Sequence, residues 1–166
     1  GMACHAICMY GVFAWTPTYF IRRFAWTPAE AGMMIGAIVL LGGCAGMAIG
    51  GAWSDRWRAR GAADAPLRVA VVAALIVSIC GAGAFTTASP IGAVALLVPT
   101  IMALALPIGS VFAAMQLIFS NQVRGQASAL FLCLISLIGI SLGPLLPAWL
   151  NDLRFGGGAG IGTALA

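Results

Sequence analysis

Five long apolar stretches, at about residues 3–21, 28–53, 67–88, 90–118 and 127–150, leave this chain few ways to fold. About 20 residues rising 1.5 Å each let a helix cross about 30 Å of hydrocarbon, and in lipid every backbone N–H and C=O must be satisfied within the protein. The stretches lack strict alternation and exceed the roughly 9 to 11 residues of a membrane strand, so they predict helices. With 62% hydrophobic and 7% charged residues, against about a quarter charged in an ordinary domain, a soluble globule is excluded. The expected fold is an all-α, polytopic membrane bundle of five spans. The opening GMACHAICMYGVF begins already apolar and the tail, at about 155–166, resembles the start of another helix, which suggests a fragment.

The eight basic residues are all arginine, and their placement orients the bundle. Arg56, Arg58, Arg60, Arg68 and Arg124 fall on one side, Arg22, Arg23 and Arg154 on the other. By the positive-inside rule the 54–66 loop is expected to face the cytoplasm. The charge follows loops near lipid headgroups and carries no nucleic-acid signature. Trp15, Tyr19, Phe20, Trp26 and Trp149 are then expected as an anchoring belt at one interface, Trp53 and Trp57 at the other.

The tetrapeptide AWTP occurs twice with different meanings. Thr27, Pro28 and Glu30 make a capping box with proline at the first helical position, so the second helix starts there. Pro17 lies inside the first run and should kink it. Gly42, Gly46 and Gly50, preceded by Gly32 and Gly36, put small residues every fourth position, a groove that admits a neighbouring helix. Pro99 and Pro107 in the fourth run, and Gly143 and Pro144 with Gly139 and Pro147 in the fifth, predict interruptions that gate a pathway, because freed backbone groups need partners in protein or in a wet cavity.

Reactive chemistry is sparse. The five cysteines lie in apolar runs and read as small buried hydrophobes. Cys4, His5 and Cys8 look metal-like, but His5 projects about 100° from Cys4 and no fourth ligand is at hand, so neither a metal nor a cofactor is expected. Paired carboxylates, a nucleophile–base set and a phosphate loop are all missing, so no catalytic residues are assigned and the chain is not read as an enzyme. No Asp, Glu, Lys or Arg sits at membrane depth; His5 either supplies coupling chemistry or is an interfacial residue at a helix end.

The stretch GGAWSDRWRARG, residues 50–61, carries a motif. Gly51, Asp55, Arg56, Arg58 and Arg60 resemble the G-x-x-x-D-R-x-x-R/K signature of the major facilitator superfamily, found in the loop after the second helix of each six-helix half. The chain departs from it at Arg58 and Ala59, where the family has glycine before the later basic residue. The segment SNQVRGQASALFLCLISLIGISLGP with LND at 150–152, together with WTPTYFIRRF and RGAADAPLRV, is similar to bacterial Spinster-like transporters, across helices seven to eleven and a stub of the twelfth. The resemblance implies the C-terminal half of a secondary transporter working by alternating access in the bacterial inner membrane. Its partners would be the lipid bilayer, the missing N-terminal six-helix half and a small-molecule or lipid substrate, with Asp55 latching the cytoplasmic side. An apolar lining favours a lipid-like or amphipathic solute; the alternatives are a small organic anion or other solute, or a non-transporting scaffold or receptor. Candidate cavity residues are His5, Met9, Phe13, Ser110, Gln116 and Ser136.

Overall fold

The structure, a computed structural model, describes residues 1–62, 64–118 and 122–155, and these hold helices and no strand. Helix α1 is Met2–Phe24, α2 Pro28–Ala59, α3 Ala65–Ile76, α4 Ala82–Thr86, α5 Pro90–Ile118 and α6 Arg124–Phe155. A π turn, Val77–Gly81, joins α3 to α4 in one span, Ala65–Thr86. By length and composition this span, α2, Pro90–Phe112 and Arg124–Leu150 can each cross a membrane; α1, with 23 residues, is long enough but more polar. The 155–166 stub lies outside the described residues beyond Phe155.

Local chemistry sets the ends. Glu30 N–H donates to Thr27 Oγ1 at 3.3 Å and Thr27 N–H donates to Glu30 Oε2 at 2.9 Å, closing the capping box. Thr27→Ala should lower stability by about 1 kcal/mol, read as a drop in the melting temperature of the detergent-solubilised protein. At the other end Gly61 takes φ 86, Ala62 N–H bonds Trp57 O at 3.1 Å and Gly61 N–H bonds Arg58 O at 2.9 Å, the Schellman pattern. Helix α2 therefore runs past residue 53. Asp55, Arg56 and Arg58 sit on its last turns and not in a loop, because a charge changes solvation without ending a helix, whereas a left-handed glycine does.

The predicted interruptions are also corrected. Pro17, Pro99, Pro107, Pro144 and Pro147 all lie inside continuous helices. Each deletes a single donor, and the flanking bonds carry the helix through. The departure from α geometry falls instead in the third run, where partly or fully buried positions recur every fourth residue at Val69, Ala73, Val77, Gly81 and Phe85. In a pure α-helix such a row drifts about 40° per step, and the wider π turn takes up the difference.

Small residues set the packing. A Cβ built on Gly46 would meet Met102 O and lie 2.9 Å from Ala105 Cβ; one on Gly50 would meet Leu106 O and lie 2.8 Å from Leu106 C. Helices α2 and α5 thus run parallel in backbone contact, and α5 is the most buried span. A second parallel seam joins α1 to α6: a Cβ on Gly11 would fall 2.9 Å from Gly143 O, and one on Gly139 would fall 2.7 Å from Tyr10 Cε2.

Two residues of the expected belt are inside. Tyr19 and Phe20 are buried, with Tyr19 O–H donating to Phe85 O at 3.1 Å and Tyr19, Phe20, Phe24, Phe85 and Trp26 linked by ring contacts of 5.1–5.8 Å. The return of the chain through Ala25, at φ 53, folds Trp26 back onto Phe20 and makes a core of them. Conversely Cys4, Cys8, Cys44 and Cys133 are exposed on the bundle, because an apolar helix also needs an apolar outer face in lipid.

Candidate functional site

A cavity of about 110 Å³ lies between α1, α5 and α6, near the N-terminal end of α1. Helix α1 supplies His5, Met9 and Tyr10, within about one and a half helical turns; α5 supplies Ile108 and Phe112; α6 supplies Phe131 and Ser136. The Phe112 and Phe131 rings meet edge to face at 6.1 Å and 90°, bridging α5 and α6. His5 Nε2 lies 2.8 Å from Leu104 O, so this nitrogen carries the proton and donates it. That carbonyl is next to Ala103 O, which Pro107 deprives of its helical donor, and Ser110 Oγ caps Pro107 O at 3.1 Å on the same turn.

Of the predicted cavity residues, His5, Met9 and Ser136 come together here. Phe13 packs against the core around Val12 and Phe20, and Ser110 is buried within α5 with its hydroxyl bound to its own helix. Gln116 is on α5, but its side chain lies outside the described residues. The sequence reading missed Tyr10, Phe112 and Phe131. Ile108 and Phe112 are four apart, a spacing that signals a shared face, but only the tertiary fold shows what that face meets.

A larger cleft of about 520 Å³ separates α1 from α3 and has Cys4, His5 and Cys8 on one wall, with Leu67, Ala70, Val71 and Ala74 opposite. Among the described residues no three His, Cys, Asp or Glu are grouped closely enough for one metal ion.

The charged motif stands apart from both spaces, at the end of α2. Gly50 is buried in the α5 seam and Ser54 is also buried, whereas Asp55, Arg56 and Arg60 are exposed and Arg58 is half-buried. Asp55 makes no hydrogen bond or ion pair with any described residue, neither Arg56 nor Arg58 included. A Cβ on Gly51 would meet nothing within 4 Å. The neighbouring acid behaves differently: Arg68 Nε donates to Asp64 Oδ2 at 3.0 Å, and this bond holds the Asp64 carboxyl below the usual carboxylate range. Trp53 and Trp57, interleaved with the motif residues, stack at 6.1 Å and 21°.

A family model described as Major Facilitator Superfamily matches residues 1–144. No curated protein and no solved structure matches the chain.

Proposed function

Because the chain belongs to the major facilitator superfamily, a family of membrane transporters, we propose that it is the C-terminal half of a secondary active carrier that works by alternating access. Asp55 carries this reading. It is an exposed carboxylate near the C-terminal end of a helix, where the macrodipole offers it nothing, and it declines the arginines beside it. A carboxylate so placed fits a partner outside the described residues, and free N–H groups at a helix N-terminus in the other half would suit it. The open side of Gly51, one turn earlier, leaves room for that partner's backbone. Asp55 then acts as the latch of the closed cytoplasmic side, with Arg56, Arg58 and Arg60 flanking it.

The cavity around His5, Met9 and Ser136 is the part of the translocation path contributed by this half. Its walls are largely aromatic and aliphatic, which favours an amphipathic or lipid-like solute over a small organic anion, since no Arg or Lys is among the described residues that line it. The Spinster-like pattern of residues 120–144 points the same way, and the membrane is a bacterial inner membrane with the 54–66 segment cytoplasmic. Reconstituted together with its N-terminal half, the chain should accumulate a radiolabelled lysophospholipid in proteoliposomes, with a rate that changes when a proton gradient is imposed. Uptake equal to that of empty liposomes for this probe and for a panel of small carboxylates would overturn the carrier reading.

A further inference from the structure

The spans form two groups joined unevenly. One group is α1 with α6, held by the Gly11–Gly143 seam, by Tyr10 over Gly139, and by Trp15 Nε1 donating to Pro144 O at 2.9 Å. The other is α2, α3 and α5, held by the Gly42–Gly46–Gly50 seam and by the burial of Val69 and Ala73 with Ala103 and Leu106. Both have backbone or buried apolar contact along their length, which resists sliding because close-packed interiors do not deform smoothly.

Between the groups the packing is lopsided. At the end where α1 turns into α2, the Tyr19, Phe20, Phe24, Phe85 and Trp26 rings meet at 5.1–5.8 Å and Tyr19 O–H is bound to Phe85 O, beside a cleft of about 290 Å³ that lies between α1, residues 77–85 and α6. At the arginine-rich end the first three turns of α1 stand off from α3 across the 520 Å³ cleft and from α5 across the 110 Å³ cavity. Among the described residues α6 touches α5 little. At that end the chain itself joins α5 to α6, and among the described residues two side-chain contacts reach from one group to the other, His5 Nε2 to Leu104 O and Phe112 against Phe131.

We propose that α1 and α6 move as one body against α2, α3 and α5, pivoting on the aromatic cluster and parting at the arginine-rich end, so that the His5–Leu104 bond and the Phe112–Phe131 pair gate the cavity between them. The motion is a hinge closure inside one half, distinct from any rocking of two halves. It rests on reading that cavity as part of a transport path. The carbonyl chosen for the tie is suited to release, because Leu104 O belongs to a helix and keeps a backbone donor within reach when the imidazole leaves.

The test reads distances and not uptake, so it can fail while the carrier reading stands, and the reverse. Spin labels are placed on the full chain in lipid nanodiscs at Cys133 with Cys4, within one body, or at Cys133 with Ala59→Cys, across the two, the remaining cysteines being replaced by alanine. In the combined His5→Leu and Phe131→Ala variant, the Ala59–Cys133 distribution should broaden and gain a longer component, while the Cys4–Cys133 distribution stays narrow and thereby reports that the pair is still folded. His5→Gln alone, which retains a donor, should leave both distributions as they are. Broadening of both distributions, of neither, or an opening with His5→Gln would overturn the hinge.

Discussion

Replacing Gly50 with alanine should unseat α2 from α5. A Cβ there meets Leu106 O and falls 2.8 Å from both C and Cα of Leu106, so the new methyl presses on backbone and not on the end of a side chain that could swing away. Overpacking of this kind costs about 3 kcal/mol or more when the obstacle is a helix backbone. The α2–α5 seam also supports the placement of α3, so the loss would spread through that whole group. The expected result is an apparent melting temperature lower by roughly 6–12 °C in detergent, or failure to accumulate as a monodisperse species. Gly43→Ala on the same helix, where a Cβ meets nothing within 4 Å, should change stability by no more than about 0.5 kcal/mol. Equal effects at the two positions would mean that the glycines act through helix propensity and not through close approach.

Asp55→Asn has the opposite profile, a large effect on transport with none on folding. The side chain is exposed and makes no bond to any described residue, so losing its charge takes no contact away from this bundle. If the carboxylate latches a helix N-terminus of the other half, the charged bond is worth about 1.5–3 kcal/mol, and removing it shifts the closed-to-open ratio about tenfold to a hundredfold. Cytoplasmic accessibility, read by maleimide labelling of an introduced cysteine, should rise, uptake should fall by a similar factor, and the melting temperature should be unchanged. Unaltered accessibility and uptake would remove Asp55 from the mechanism. Gly51→Ala offers an independent check: with open space beside it, it should fold normally and still impair uptake, because the room it leaves belongs to the partner.

These two neighbouring positions show what could be read from the residues and what could not. Gly46 and Gly50 were recognisable as a seam because a repeat of small residues every four positions is a local pattern, but its partner helix was not, since any apolar neighbour would satisfy it. The start of α2 was given by Thr27, Pro28 and Glu30, whose hydrogen bonds are made within four residues of chain. Its end was misplaced at residue 53 because the arginines were taken as a boundary, while the informative residue was Gly61 with its left-handed φ. Prolines misled in the same way: Pro107 removes one donor, that of Ala103 O, and α5 continues because the backbone bonds on either side are kept.

The candidate site follows this division. His5, Met9 and Ser136 were named from their positions on helices expected to line a path, and they border one cavity. Ser110 belonged to the same class of residue but turns inward to Pro107 O, and Tyr19 and Phe20, chemically suited to an interface, are drawn into a core by the reversal at Ala25. The sequence by itself determined that this chain is a bundle of membrane-length helices, where α2 begins, and which end carries the cationic motif, because hydropathy, capping and charge act over a few residues. Which helices pair, where the third span widens into a π turn and which contacts close the cavity were decided only by the tertiary structure. Those outcomes depend on the fit between faces far apart in the chain, and in lipid no difference in hydrophobicity tells one apolar face from another, so steric complementarity at residues such as Gly11, Gly46, Gly50 and Gly143 makes the choice.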